Sequence, residues 1–209
     1  GVDRICINPQ TLNDEILKAI GRQHTTEQFV KAMTNARKYN FKAVNCDVIA
    51  GLPGETADSF ADSLNQIMAL GAQNVTVHAL CIKQGSDFKT QGGTVLRAKV
   101  ASEMVDDSVG RLTRGEYRPY YLYKQKHAVA ALENTGWAMA GTESYYNIIM
   151  MDDLGTVLGV GAGSSSKILG GRIPVRVYAP KYPYEYLRDA GDFSTKIRAL
   201  ESAFEQSKG

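Results

Sequence analysis

Ala43-Val44-Asn45-Cys46-Asp47-Val48-Ile49-Ala50-Gly51-Leu52-Pro53-Gly54-Glu55-Thr56 decides the fold of this chain. Residues 43–50 are apolar and β-prone except at Asn45 and Asp47, and they read as a strand. Gly51 to Gly54 brackets a proline with glycines, which makes a turn. Thr56 opens a helix to Leu70 with Phe60, Leu64 and Ile67 on one face, and Asn74 to Ile82 reads as the next strand. Strand, tight turn, helix and strand make a parallel unit with a right-handed crossover.

The same alternation extends upstream. Ile5 to Asn8 is a strand ended by Pro9-Gln10-Thr11. Asn13 caps a helix carrying Ile16, Leu17 and Ile20, and Gly21 stands where a C-terminal glycine belongs. Thr25 opens the next helix with Gln28 completing a capping box, and Phe29, Ala32, Ala36 and Tyr39 follow at helical spacing. In α/β barrels the chemistry gathers at the C-terminal ends of the strands, which here means Gln10, Asp47 and the neighbourhood of Cys81. Three strands do not close a barrel, so the others are expected to precede Gly1, and the chain reads as a C-terminal fragment.

Downstream of residue 92 the character changes. Thr94 to about Thr113 suits a helix, and Tyr117 to Tyr123 is extended, with Tyr117, Tyr121 and Tyr123 alternating onto one face. Ala128 to Asn134 is read as helical, ending near Gly136, and Asn147 to Val160 as two strands joined by Asp152-Asp153-Leu154-Gly155. Gly161 to Lys167 is a Gly/Ser-rich loop, read as a tight turn near the barrel mouth. An edge strand at Pro174 to Ala179 and two short helices finish the chain. The fold class is therefore α/β: residues 1–92 as the C-terminal strands of a partial (β/α) barrel, then residues 93–209 as a smaller α+β domain.

Composition excludes some functions. The 209 residues are 44% hydrophobic and 22% charged, with a formal net charge of +2. No charge run points to nucleic acid or to a membrane surface. No apolar stretch approaches membrane-spanning length, and no signal peptide opens the chain. Three cysteines, Cys6, Cys46 and Cys81, suit thiols in a reducing cytoplasm. His24, His78 and His127 have no metal-ligand spacing. Gly159-Val160-Gly161-Ala162-Gly163-Ser164 falls short of a dinucleotide fingerprint, and no Gly-x-Ser-x-Gly elbow occurs.

Four stretches, taken in order, resemble the oxygen-independent coproporphyrinogen III oxidase family of radical S-adenosylmethionine (SAM) enzymes. They are Ile5-Cys6-Ile7-Asn8-Pro9-Gln10-Thr11 with Ala19-Ile20-Gly21-Arg22-Gln23-His24; Asp47 to Thr56; Tyr120 to Lys126 with Glu133 to Trp137; and Leu158 to Ser164. The third points to the HemZ-like coproporphyrinogen dehydrogenase branch. The resemblance implies that Gln10, Arg22 and Asp47 contact SAM, with a backbone contact at or near Cys81. These residue types suit that ligand. A guanidinium grips a carboxylate through two parallel hydrogen bonds, and an amide or carboxylate suits ribose hydroxyls. A glycine-containing loop such as Gly51 to Gly54 lets backbone approach a ligand closely.

The family also holds a [4Fe–4S] cluster on a Cys-x-x-x-Cys-x-x-Cys motif, which this sequence lacks. If Gln10 and Asp47 face inward, Cys6 does too, but roughly 13 Å back along its strand, while Cys46 faces outward to the helices. The cluster ligands are therefore expected upstream of Gly1. The implied chemistry is SAM cleavage to a 5′-deoxyadenosyl radical and oxidative decarboxylation of coproporphyrinogen III, in which cofactors do the hard steps. No side chain here is assigned as a catalyst. An electron donor such as flavodoxin or ferredoxin is implied. For a tetrapyrrole substrate, Tyr121 and Tyr123 are candidates for the ring, and Lys167, Arg172 and Arg176 for the carboxylates.

Each residue has a plainer reading. Gln10 and Asp47 suit loop caps, Arg22 a helix C-terminus, Cys81 a small buried position and the tyrosines ordinary strand packing. Lys167 and the arginines after it suit solvated surface. Two other functions fit the same resemblance: a haem-binding chaperone, and a radical SAM enzyme with another substrate.

Overall fold

A computed structural model describes residues 1–81, 94–125, 128–169, 174–188 and 194–206. The chain divides into two compact units, Gly1–Glu143 and Ser144–Gly209.

The first unit is built on a five-stranded sheet in the order β1-β2-β3-β5-β4, with β1 Arg4–Cys6, β2 Ala43–Ala50, β3 Asn74–Ala79, β4 Arg118–Tyr123 and β5 Asn134–Ala138. β1, β2 and β3 are parallel, as the alternation requires; β5 runs antiparallel to both β3 and β4. Between the parallel strands lie α1 Asp14–Ala19, α2 Thr26–Ala36 and α3 Ala57–Ala69, and α4 Thr94–Arg114 follows β3. The sheet thus continues past residue 92, and α4, β4 and β5 share the first unit with the parallel strands.

Local chemistry sets the helix ends. Asn13 Oδ1 accepts from the backbone N–H groups of Glu15 and Ile16, and Thr25 and Gln28 form the reciprocal capping box of α2. α1 ends in a Schellman turn. Gly21 at φ 75° donates to the Lys18 carbonyl at 3.1 Å, and Arg22 N donates to the Leu17 carbonyl at 2.9 Å.

Strand alternation separates two faces. Val44, Cys46, Val48, Val75 and Val77 pack with Phe29 and Met33 of α2, Phe60, Leu64 and Ile67 of α3, and Met104 and Leu112 of α4. Each large side chain buried there contributes about 1.5–3 kcal/mol. Gly51, at φ 86°, has a packing reason to be glycine: a Cβ there would sit 2.9 Å from Ala101 Cβ on α4. The close approach that the turn permits is thus used by a helix of this chain.

Three readings are corrected. Residues 128–134 were expected to be helical; only a single 3-10 turn forms at Val129–Ala131, with Ala130 and Ala131 at positive φ, and β5 follows. Asn134 Oδ1 accepts from Ala79 N at 2.8 Å and Trp137 enters the core, contacts that local sequence does not encode. Tyr117 does not share a face with Tyr121 and Tyr123. The β4–β5 register shifts between Pro119 and Tyr121, and this bulge flips the alternation. Tyr117 therefore lies in the core, its hydroxyl donating to the Ala72 carbonyl and its phenol pushed up to about 12 by burial. Lastly, residues 147–160 do not form two strands; α5 spans Tyr145–Met151, and Val157 makes an isolated bridge to Lys167.

The second unit contains α5, an antiparallel pair of β6 Ser165–Ile168 with β7 Val175–Tyr178, α6 Pro183–Arg188 and α7 Ser194–Gln206. The Gly/Ser segment turns at Gly161 and Gly163, both at positive φ, and is anchored by Lys196 Nζ on the Gly159 carbonyl at 2.8 Å and Ser164 Oγ at 3.1 Å. This unit is α+β.

Candidate functional site

The face of the first sheet opposite the helices is polar. Cys6 is in register with Asn45 on β1 and β2, and Asn45 and Asp47 alternate with the core residues of β2. On β3 the matching positions are Thr76 and His78, and on β4 they are Tyr121 and Tyr123.

Asp47 is the hub. Its Oδ2 accepts from Asn8 Nδ2 at 2.8 Å and its Oδ1 from Asn45 Nδ2 at 2.7 Å. His78 Nε2 approaches Oδ2 at 3.5 Å, a charge contact longer than an ordinary N–H···O hydrogen bond. Burial opposes ionisation of this carboxyl, but contacts from His78, Asn45 and Thr76 outweigh burial and hold it below the usual carboxylate range. The site therefore presents an anion on a half-buried surface.

Gln10 is brought beside it. Gln10 N donates to the Asp47 carbonyl at 3.0 Å, and Ile49 N donates to the Gln10 carbonyl at 2.9 Å. Gln10 has φ 70°, a conformation a non-glycine residue adopts only when its surroundings impose it, and its side chain is buried. Arg22 is exposed in the segment between α1 and α2. That segment is tied to the end of β1, because His24 Nε2 lies 3.2 Å from the Pro9 carbonyl and Thr26 Oγ1 donates to the Leu12 carbonyl at 2.9 Å. The Cys81 backbone bridges to Ala128 just beyond β3. Thus Gln10 and Asp47 adjoin, Arg22 lies on a segment fastened to the same end of β1, and Cys81 follows the end of β3.

The aromatic candidates belong to this face. The Tyr121 and Tyr123 rings stack with centroids 6.3 Å apart, and Tyr121 covers Gly136. Tyr121 Oη lies 3.1 Å from Thr76 Oγ1, and Tyr123 Oη lies 3.1 Å from His78 Nδ1. Burial raises both phenols, so both stay protonated.

Two of the basic candidates, Lys167 and Arg176, belong to the second unit. Lys167, in the second unit, is only 1% exposed. Its Nζ donates to the Ile149 carbonyl at 3.1 Å, the Met150 carbonyl at 3.3 Å and Asp153 Oδ1 at 2.7 Å. These contacts use its three donors on the C-terminal end of α5, so the ammonium is neither solvated nor available to a ligand carboxylate. Arg176 is exposed on β7, opposite Lys167. Arg172 and His127 lie outside the described residues.

Residue type alone did not reveal Asn8, Asn45, Thr76 or His78. The signal was present in Asn74-Val75-Thr76-Val77-His78-Ala79, where polar residues alternate strictly with apolar ones on a strand flanked by buried neighbours.

The Radical SAM superfamily pattern matches residues 1–67. Over 99% of its length the chain is 37% identical to the oxygen-independent coproporphyrinogen-III oxidase-like protein HemZ of Bacillus subtilis (strain 168), covering 42% of that protein. Along nearly its whole length the chain is similar to the HemZ-like branch of this radical SAM family. The heme chaperone HemW of the same organism is 27% identical over 98% of the chain and 53% of that protein. The chain spans about half the length of the curated relatives it matches. The solved structure of coproporphyrinogen III oxidase (HemN) from Escherichia coli, described as a radical SAM enzyme, superposes with a TM-score of 0.65 at 16% identity, over 92% of this chain and 44% of that one. That likeness shows the fold, part of a radical SAM α/β barrel followed by an α+β segment. No described helix is long and apolar enough to cross a membrane.

The radical SAM pattern implies SAM and a [4Fe–4S] cluster as the family's cofactors. The residue types at these positions suit SAM: a carboxylate at Asp47 for hydroxyl groups with an amide at Gln10 beside it, and a guanidinium at Arg22 for a carboxylate. The cluster does not fit. Cys46 is fully buried against Met33 on the helix face, its thiol pushed up by burial. Cys6 lies on the opposite face and Cys81 beyond β3. No group of three His, Cys, Asp or Glu side chains among the described residues is placed to hold a metal ion.

Proposed function

We propose that this chain supplies the SAM-binding end of a radical SAM oxidoreductase that converts coproporphyrinogen III to protoporphyrinogen IX without oxygen. Gln10, Arg22 and Asp47 hold SAM, with a backbone contact near Cys81, and cluster ligands come from outside these 209 residues. When bound, SAM would supply the radical chemistry of the family. The part played by this chain is to bind and orient. The Asp47 carboxylate accepts from hydroxyl groups, the Gln10 amide completes their recognition, and the Arg22 guanidinium takes the carboxylate. The carrying observation is the ionised Asp47 held beside Gln10 in a left-handed backbone conformation.

The match of 98% of this chain to 53% of a heme chaperone supports a second reading, in which the same architecture binds haem and releases no product. Product analysis under strict anaerobiosis separates the two. Protoporphyrinogen IX that disappears on Asp47→Asn supports the oxidoreductase. Stoichiometric haem binding without decarboxylation identifies the chaperone. Turnover of neither ligand, with SAM still consumed, identifies a radical SAM enzyme with another substrate.

A further inference from the structure

Two relays run across the polar face from β4 to β2, and each ends on a different oxygen of Asp47, the first through hydrogen bonds throughout and the second through one hydrogen bond and a closing charge contact. In the first, Tyr121 Oη meets Thr76 Oγ1 at 3.1 Å, Thr76 Oγ1 donates to Asn45 Oδ1 at 3.2 Å, and Asn45 Nδ2 donates to Asp47 Oδ1 at 2.7 Å. In the second, Tyr123 Oη meets His78 Nδ1 at 3.1 Å and His78 Nε2 faces Asp47 Oδ2 at 3.5 Å.

The direction of each relay follows from donor counting. Thr76 spends its single hydroxyl proton on Asn45, so Tyr121 must donate to Thr76. An ionised carboxylate can only accept, so the His78 nitrogen that faces it, Nε2, carries a proton, and in that tautomer Nδ1 accepts from Tyr123. Both relays therefore aim their protons at Asp47. Both phenols stay protonated because burial raises them, so the donors persist across the neutral range.

We infer that Tyr121 and Tyr123 are positioning residues, which orient the Asp47 carboxylate through Thr76–Asn45 and through His78. The inference rests on the reading that Asp47 binds SAM, and it reassigns the two tyrosines from the substrate ring to the cofactor side. Gly136 is part of the arrangement: a Cβ there would lie 1.8 Å from a Tyr121 ring carbon, so only glycine lets that ring reach Thr76. The bulge between Pro119 and Tyr121 is what turns both tyrosines onto the polar face.

The test uses Tyr121→Phe, Tyr123→Phe and the double variant, each of which keeps the ring and removes the hydroxyl. Carboxyl-carbon NMR follows the titration of Asp47, nitrogen NMR follows the tautomer of His78, and calorimetry measures SAM affinity. Each single variant is expected to move the Asp47 titration upward. Tyr123→Phe alone should disturb the Nε2–H tautomer of His78. The double variant should bind SAM roughly tenfold more weakly, the scale of one or two lost side-chain hydrogen bonds. If the double variant does not fold, the two single variants decide. An Asp47 titration unmoved by either single variant overturns the inference. So does a raised KM for the tetrapyrrole with unchanged SAM affinity, because the tyrosines would then serve the substrate. Should Asp47→Asn leave SAM affinity intact while the tyrosine variants still move Asp47, the relays stand and the cofactor reading fails.

Discussion

Glu55→Gln should remove a pH dependence built into the turn between β2 and α3. Glu55 is only 6% exposed. Its Oε1 accepts from Thr11 Oγ1 at 2.5 Å, and its Oε2 has no partner among the described residues. Burial raises this carboxyl from 4.5 to about 7, against the lowering effect of hydrogen bonds from Thr11 and Ser59. The folded state holds the proton more tightly than the unfolded state, so stability is fully present below the unfolded value of 4.5 and falls as pH rises through about 7. Such a shift corresponds to about 3 kcal/mol. Glutamine keeps the carbonyl oxygen that receives the Thr11 bond and cannot ionise.

Urea unfolding of both proteins, at about pH 5 and about pH 8, isolates the effect in the difference between them. The wild-type chain should lose roughly 2–3 kcal/mol relative to the variant over that interval. A difference that stays constant within about 0.5 kcal/mol, or that grows in the opposite direction, would show that the carboxyl is solvated and ordinary. Thr11 follows Gln10 directly, so ionisation of Glu55 strains the loop that carries a proposed SAM contact. SAM affinity of the variant should therefore lose its decline above neutral pH.

Two further outcomes are expected. Gly136→Ala should cost about 1–3 kcal/mol in chemical denaturation, because the new methyl displaces the Tyr121 ring, and it should raise the Asp47 titration as Tyr121→Phe does. Lys167→Met should destabilise the second unit by about 2–4 kcal/mol, since the carbonyls of Ile149 and Met150 and the Asp153 carboxylate lose their cation; amide exchange in α5 should then rise while the first sheet is unaffected.

The parallel half of the fold was legible because each signal was local. Capping residues at Asn13, Thr25 and Thr56, a glycine after α1 and alternating apolar positions in β2 fix elements without reference to distant residues. Asp47 and Gln10 were legible as site candidates through strand-end position and family motif. Where the reading failed, the deciding partner was remote in sequence. β5 forms because Trp137 finds the core and Gly136 makes room for Tyr121. α5 carries the short apolar run 148–151, which local pattern leaves open between strand and helix; its final carbonyls are met by Lys167. The charge of Lys167 suggested surface, yet that ammonium is buried among three acceptors.

Sequence by itself determined the order of strands and helices in residues 1–79, the opposite faces of Cys46 and Asp47 on β2, and the resemblance to the radical SAM family, because periodicity, caps and motifs act over a few residues. Tertiary structure alone decided the antiparallel addition of β5 and β4, the single bulge that separates Tyr117 from Tyr121 and Tyr123, and the two relays that converge on Asp47. Those features depend on hydrogen bonds and ring contacts between residues tens of positions apart, and only the folded sheet brings them within reach of one another.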